Sequence, residues 1–345
     1  MVFLAHFWLI GSSIWGDGRY YYSYLQSLVI NRNLDLEAGN KYALGPALFW
    51  LPFFTLAHLI IQGNGYELPY QLLVGLASVC LGILGLYFCF LTAKKYFGER
   101  TALLSTMGIW LGSNLFFYTS IDPVNSHSLS FFTSALVVYI WLGGLGRLGK
   151  LGKIRGLGML VGVLGMIRAQ DLMIAVPMTA AIFWENKDDL RKALINIINF
   201  IIFIIIGFLP QLVVWQIIFG ELRSPYLIYG HEFFWLKPKI LEVLFSRNNG
   251  LFYYSPILVL GLLGMNKSGL FLFFAQLYII SSWFIWWGGA GYGGRMFISL
   301  MPFLILGLAN VLEKAKRFGK ITFIIIISFI ILNFYSMLKF LILSP

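Results

Sequence analysis

The sequence has little charge: Asp, Glu, Lys and Arg together make up 11% of its 345 residues, whereas 59% are hydrophobic. The mean hydropathy is +0.81. This composition excludes an ordinary soluble globular protein, because no core of that size needs so much apolar surface. Apolar stretches of about 17–25 residues, the length that crosses a bilayer as a helix, recur along the chain. The composition therefore predicts an all-α, polytopic membrane protein.

Cysteine and histidine are also scarce, with two and four residues. Cys80 and Cys89 fall in one apolar segment and no CxxC pattern occurs, so we expect neither a disulfide nor a cysteine metal site. The first segment, residues 2–15, lacks the basic start and small-residue exit of a cleavable signal peptide. We assign the net charge of +11 to cytoplasmic loops and to a site for an anionic lipid head group, not to nucleic acid.

Lys and Arg are concentrated in every second loop between the apolar segments, and the positive-inside rule makes those loops cytoplasmic. This pattern predicts about eleven crossings, with the N-terminus inside, provided that residues 46–61 form a helix in the interface. Pro52 interrupts that short segment, and a true crossing is the alternative. We treat residues 1–345 as one transmembrane domain. Outer loops 16–68 and 220–253 form its active-site face, and most acidic residues fall on the predicted outer side.

The first outer loop begins with Asp17 and Arg19, followed by a run of tyrosines that includes Tyr20 and Tyr21. A charge at a membrane boundary is a functional candidate, so we place Asp17 at the mouth of an active site. The alternative is that Asp17 only caps the helix that follows it. Asp122 precedes a proline at another outer edge, where an ordinary turn is the alternative.

Basic residues on the same side are candidate ligands for a phosphate group. Lys41 precedes the interfacial segment, where a snorkelling side chain is the alternative, and Arg247 lies in a polar turn that could be only a surface turn. Arg295 ends a glycine-rich loop that contains Trp287. Glycine backbone N–H groups can face an anion, and an arginine adds a charged fork; a flexible outer turn with interfacial tryptophan is the alternative.

Three polar residues near predicted turns complete the candidates. Arg168 and Asp171 are three residues apart, which would place them on one face of a helix, and pairing with each other is the alternative to a substrate role. His127 is a candidate base or metal ligand, and we group it with the substrate-binding residues. A lone loop histidine more often has neither role.

This ordered set of motifs resembles GT-C glycosyltransferases of the protein O-mannosyltransferase and aminoarabinose-transferase type, and among them bacterial family-39-like or Rgt-like membrane proteins. Asp17 matches the acid of the family's first outer loop, and Lys41 resembles the basic residue of its Lys-Pro-Pro or His-Pro-Pro signature. The Ile-Asp-Pro stretch at Asp122 resembles the family's Leu-Asp-Pro element. The chain departs from the family at Gly18, where a second acid often stands, and at Pro46, to which the prolines are displaced.

The resemblance implies a polyprenyl-phosphate-linked sugar as donor, and transfer on the periplasmic or exterior side of a multi-pass inner-membrane protein. Asp17 would be the general base of an inverting reaction, with Asp122 orienting the acceptor or sugar. The cations would stabilise the leaving phosphate, and Tyr20, Tyr21 and Trp287 would stack on the sugar. These residues require no metal, and a divalent metal cofactor stays an alternative.

The expected partners are the lipid-linked donor, membrane lipids and an acceptor that is a lipid, a glycan or a protein, with a hydroxyl or amine as the attacking group. A flippase or transporter of lipid-linked sugars is the second interpretation, although the charges lie mostly at segment ends and no internal repeat is present. A non-catalytic subunit that binds lipid is the third.

Overall fold

The computed structural model describes residues 1–33, 40–143, 150–228 and 230–343. Positions 34–39 of the predicted outer loop 16–68, and position 229 of loop 220–253, lie outside the described residues. The described residues form helices and no β-strand, apart from an isolated antiparallel bridge between Phe233 and Trp283. The α-helices, in chain order, are α1 (Val2–Ile10), α2 (Gly18–Leu25), α3 (Gly45–Ile61), α4 (Leu68–Phe97), α5 (Glu99–Gly112), α6 (Leu115–Ser120), α7 (Ser126–Trp141), α8 (Lys150–Ile167), α9 (Ala175–Glu185), α10 (Leu190–Phe219), α11 (Pro225–Ile228), α12 (Ile240–Phe245), α13 (Leu251–Tyr254), α14 (Ile257–Leu263), α15 (Lys267–Ser282), α16 (Met301–Lys314) and α17 (Gly319–Leu343).

The predicted apolar segments are largely helical in the structure. α3 covers the predicted interfacial segment and keeps Pro52 inside it. Within the described residues, four helical stretches are long and apolar enough to cross a membrane: Leu68–Phe97, Leu190–Phe219, Arg295–Lys314 and Lys316–Leu343. The all-α, polytopic class is therefore confirmed, and the eleven crossings with their orientation stay predictions.

The apolar run at residues 102–118 does not form one continuous helix. α5 ends at Gly112, the backbone of Ser113 is extended, and α6 follows. A side chain of α17 satisfies the carbonyl groups at this break, because Asn333 Nδ2 donates to Leu111 O at 2.8 Å and to Ser113 O at 3.0 Å. Such pairing allows a helix to break in an apolar environment, where each unpaired polar group of the backbone costs several kcal/mol.

The chain folds into two compact units. The first consists of Met1–Gly82, Ser120–Thr133 and Leu145–His231. The second consists of Ile83–Thr119, Ser134–Gly144 and Glu232–Pro345. The single domain predicted for residues 1–345 stays a prediction.

The core of the first unit surrounds α2 and α3. The side chains of Trp50, Tyr22 and Tyr24 are fully buried in it. Their polar atoms are paired inside the core, as buried polar groups require: Trp50 Nε1 donates to Ser78 Oγ at 2.6 Å, and Tyr22 Oη donates to Gly65 O at 2.7 Å. This packing fixes α2, which begins directly after Asp17, against α3.

α8 packs closely on α10 within the first unit. Gly158 and Gly162 on α8 face backbone atoms of α10, and Gly207 on α10 faces backbone atoms of α8, so a Cβ at any of them would collide. Small residues let apolar helices approach closely, as is common inside membranes. The pair positions Arg168, which directly follows α8.

The second unit is built around α5, α14 and α16. Gly264, directly after α14, faces the backbone of Gly307 on α16, and Gly307 faces the backbone of Gly261 on α14 at close approach. Ser299, just before α16, accepts from Ser134 Oγ through its carbonyl oxygen at 2.6 Å and from Gln276 Nε2 through its hydroxyl at 3.2 Å. These bonds hold the chain just after the glycine-rich loop in a defined place.

Candidate active site

Asp17 lies at the N-terminal end of α2, where a capping residue would stand. Its side chain makes no capping hydrogen bond, so the capping alternative is wrong. Asp17 Oδ1 instead accepts a hydrogen bond from Tyr42 Oη at 2.8 Å. Gly16, directly before Asp17, has a φ of 53°, a left-handed conformation that glycine tolerates. The chain therefore turns sharply just before the carboxylate.

Tyr42 connects Asp17 to the tyrosines of α2. Its ring stacks on Tyr20, with centroids 4.6 Å and planes 4° apart, and meets Tyr21 edge to face at 5.1 Å. Burial, and then the charge of Asp17, raise the pKa of Tyr42 well above the usual range of a phenol. The phenol therefore stays protonated and donates to the carboxylate.

The loop that carries Asp122 packs against the start of α2. A Cβ at Gly18 would collide with Val124 O, so the absence of a side chain allows this approach. Tyr21 Oη donates to Ser126 Oγ at 3.1 Å, four residues after Asp122. The structure thus brings the two loops with the predicted catalytic acids into contact.

Asp122 itself is buried and belongs to a short chain of hydrogen bonds. Its Oδ2 accepts from Asn125 Nδ2 at 3.3 Å, and Asn125 Oδ1 accepts from the backbone N–H of Ser126 at 2.7 Å. Since α7 begins at Ser126, these bonds tie the carboxylate to a helix start. An acid held in this way is suited to orienting a bound group.

Lys41 faces a second aromatic loop of the same unit. Its Nζ lies 5.7 Å from the centroid of the Tyr226 ring, within the range of a cation–π interaction. His231 meets the Tyr226 ring edge to face at 5.2 Å. Burial, followed by the charge of Lys41, lowers the pKa of His231 below its usual value. At neutral pH the imidazole is therefore uncharged, and the positive charge beside the Tyr226 ring comes from Lys41.

Arg168 and Asp171 both contact the first turns of α7, in an arrangement that differs from the predicted one. Arg168 has an extended backbone, with φ −150° and ψ 111°, and Asp171 lies in the 3₁₀-helix Ala169–Ile174. The prediction that they share one face of a helix is therefore wrong. The Arg168 guanidinium donates to His127 Nδ1, and Ser130 Oγ donates to Asp171 Oδ2 at 2.6 Å.

His127 is almost fully buried, at 3% exposure. Because an arginine side chain can only donate, His127 Nδ1 is the acceptor, and the proton of the neutral ring is on Nε2. His127 therefore holds the Arg168 side chain in place.

In the second unit, Asn249 joins the two loops that carry predicted cations. Asn249 Nδ2 donates to Trp287 O at 3.1 Å and to Gly289 O at 2.8 Å. Arg247 is exposed two residues before it. The sequence analysis missed Asn249, and the signal that could have found it is the Asn-Asn-Gly turn, in which Asn249 adopts a φ of 62°.

The guanidinium of Arg295 folds back onto the glycine-rich loop. Arg295 Nε donates to Gly288 O at 2.9 Å. Gly288 and Gly289 have φ values of 75° and 78°, which few other residues tolerate. Tyr118 Oη accepts from the backbone N–H of Tyr292 at 2.8 Å. The shape of the loop therefore depends on Arg295, in addition to the charge that this residue supplies.

One predicted residue lies outside these contacts, and three residues that take part in them were not predicted. Arg19 is exposed, and its side chain forms no hydrogen bond or ion pair with the described residues. Tyr42, Tyr226 and His231 were not predicted as site residues. Tyr42 follows Lys41 directly, and the other two fall in the predicted outer loop 220–253, so position alone was the available signal. Within the described ranges, no group of three or more His, Cys, Asp or Glu residues could hold a metal ion.

No family model matches the sequence, and no curated protein matches it. Solved structures with a similar fold include ArnT from Cupriavidus metallidurans in the apo state, with a TM-score of 0.57 and 13% identity over 88% of this chain. They also include ArnT bound to undecaprenyl phosphate, with a TM-score of 0.58 and 12% identity over 92% of this chain. The chain spans 56% and 60% of the length of those two ArnT chains. It therefore has the polytopic, all-α fold of ArnT, as predicted from the GT-C resemblance.

Proposed function

We propose that the chain is a membrane glycosyltransferase, which moves a sugar from a polyprenyl-phosphate carrier to an acceptor hydroxyl or amine. The transfer takes place on the non-cytoplasmic side of the inner membrane. The proposal is carried by the Asp17 carboxylate, which accepts a hydrogen bond from the Tyr42 phenol at 2.8 Å. The loop that contains Asp122 packs against the start of the same helix, α2. The fold shared with ArnT supports it, because one ArnT structure holds undecaprenyl phosphate.

Asp17 is the general base of the proposed reaction. Its carboxylate takes the proton from the acceptor hydroxyl while that oxygen forms a bond to the anomeric carbon. The bond between the anomeric carbon and the phosphate oxygen breaks, and its electron pair leaves on the polyprenyl phosphate. Attack from the face opposite to the phosphate inverts the anomeric configuration. Tyr42 fixes the orientation of the carboxylate through Oδ1, and such fixed geometry lowers the barrier.

Cations stabilise the charge that develops on the leaving phosphate. Lys41 is the first candidate, because its ammonium is a compact point charge one residue from Tyr42. Arg168, held by His127, is the second candidate in the same unit. Arg295 and Arg247, which the sequence analysis predicted as phosphate ligands, belong to the second unit. The proposed transfer is metal-independent.

Aromatic side chains bind the sugar, and Tyr20 is a better candidate than Tyr21. Tyr20 is 38% exposed, whereas Tyr21 is 8% exposed and donates its hydroxyl to Ser126. Trp287 is the candidate from the second unit. Asp122, tied to the start of α7, orients the acceptor or the sugar.

Reconstituted protein with a radiolabelled polyprenyl-phosphate sugar tests the proposal. Asp17→Asn should abolish formation of a new glycosidic product while the protein still binds the donor. Glu242→Gln is the matched control, since it makes the same chemical change in an exposed ion pair with Lys239, and surface pairs of this kind contribute little. Retained turnover in Asp17→Asn counts against the base assignment.

The same assay separates the proposal from its alternatives. A flippase or transporter would move the labelled lipid across the vesicle membrane without forming a product, and a lipid-binding subunit would do neither. Glycan analysis of the surface of a deletion strain would then identify the acceptor as lipid, glycan or protein.

A further inference from the structure

The second unit contains a cavity of about 650 Å³ at the ends of α5, α16 and α17. It lies where α4 turns into α5 and where α16 gives way to α17. α16 begins just after the 3₁₀-helix Arg295–Leu300 and is 14 residues long, about 21 Å at 1.5 Å per residue. Its last turn lines the cavity, so the cavity lies at the opposite end of α16 from the glycine-rich loop. It is therefore separate from the part of the candidate site that this unit contains.

The rim of the cavity is cationic. Arg100, Lys316 and Lys320 line it, against a single carboxylate, Glu99. Glu99 and Lys316 already have ion-pair partners. The side chains of Arg100 and Lys320 form no hydrogen bond or ion pair with the described residues. Two cations at one rim are thus available to an anion.

The interior of the cavity is apolar and opens along a helix that the protein barely covers. Leu104, Phe323 and Ile326 line it. Only 17% of the most apolar part of Lys316–Leu343 is buried inside the protein, and Phe323 is 51% exposed. Because this stretch is long and apolar enough to cross a membrane, hydrocarbon chains of lipid would cover its exposed face.

We propose that this cavity binds an anionic phospholipid. The phosphodiester head group pairs with Arg100 and Lys320, and one acyl chain lies along Phe323 and Ile326. A soluble anion would leave the apolar wall of the cavity uncovered. A zwitterionic lipid would bring no net negative charge to neutralise Arg100 and Lys320. Basic pockets between membrane helices bind anionic head groups in general. The proposal does not depend on the glycosyltransferase activity.

Native mass spectrometry of the full chain in detergent, titrated with dioleoyl phosphatidylglycerol, tests the proposal. The double variant Arg100→Gln/Lys320→Gln should bind this lipid roughly 30-fold more weakly, because each cation near a membrane surface contributes about fivefold to affinity for anionic lipid. The matched control Lys314→Gln/Arg317→Gln removes two charges from the same region, but neither residue lines the cavity. Its affinity should stay close to that of the unmodified chain.

A second variant, Thr322→Trp, fills the cavity without a change of charge and should also lose the lipid, while circular dichroism shows that the helices are intact. Dioleoyl phosphatidylcholine should bind the unmodified chain as weakly as phosphatidylglycerol binds the double variant. Phosphatidylglycerol binding that survives in both variants overturns the proposal. Binding of glycerol phosphate as tight as that of the lipid also overturns it, because the site would then be one for a soluble anion.

Discussion

Changing Tyr42→Phe tests whether a phenol positions the proposed catalytic base. The substitution removes the 2.8 Å hydrogen bond from Tyr42 Oη to Asp17 Oδ1. It keeps the ring that stacks on Tyr20 and meets Tyr21 edge to face. The packing of α2 should therefore survive, because the substitution removes a hydroxyl group and leaves the aromatic ring in place.

The magnitude follows from the kind of bond that is removed. A hydrogen bond to a charged group contributes about 1.5–3 kcal/mol, which corresponds to roughly 10- to 150-fold in rate if its effect is lost in the transition state. Asp17 is only partly buried, so water can replace part of this bond. We therefore expect kcat to fall about tenfold. The KM for the donor should change little, because Lys41, the proposed phosphate ligand, is untouched.

Reconstituted sugar transfer, measured over a range of donor concentrations, separates kcat from KM. Asp17→Asn provides the lower limit of kcat in this comparison, since general base catalysis raises the rate by about 10²- to 10⁴-fold. Tyr66→Phe is the matched control, because it removes the same hydroxyl from an exposed tyrosine of the same predicted outer loop. A Tyr42→Phe protein with unchanged kcat refutes the positioning role, and so does a loss of helical signal, which would make the hydroxyl a structural group.

Three further substitutions have expected outcomes. Gly18→Ala places a Cβ against a backbone oxygen of the Asp122 loop and should destabilise the protein by about 1–3 kcal/mol, so an unchanged melting temperature in detergent would contradict the close approach. Asn249→Ala removes both hydrogen bonds that join the two loops of the second unit and should lower kcat without unfolding, as circular dichroism and the transfer assay can verify; full activity would argue against a role in alignment. Gly307→Ala should lower the melting temperature more than Gly319→Ala does, since a Cβ at Gly319 meets no atom within 4 Å, and equal effects would rule out tight helix packing as the cause.

The sequence predicted the first catalytic candidate and the elements around it because those signals are local. Asp17 stands between an apolar segment and a tyrosine run, and α3 follows from the apolar stretch around Pro52. Composition also predicted the all-α membrane fold, because the length and polarity of apolar segments depend on the bilayer and not on tertiary contacts.

Partners distant in sequence could not be predicted in the same way. Tyr42 donates to an acid 25 residues before it, and Ser130 donates to an acid 41 residues after it. Neither spacing corresponds to a helical or strand period, so hydropathy contains no signal for it. The helical face assigned to Arg168 and Asp171 was wrong because the chain is extended at Arg168.

One amide on the last helix has a consequence for protein engineering. Asn333 donates to two carbonyl groups at the break after α5, and its Oδ1 accepts from Tyr292 Oη at 3.0 Å. A chimera that replaces α17 by a leucine-rich segment of equal length would match it in hydropathy. It would nevertheless leave both carbonyls without the amide that donates to them, and Tyr292 Oη would keep only the backbone oxygen of position 333 as an acceptor. Tolerance of such grafts therefore has to be judged from individual polar atoms and not from apolar character.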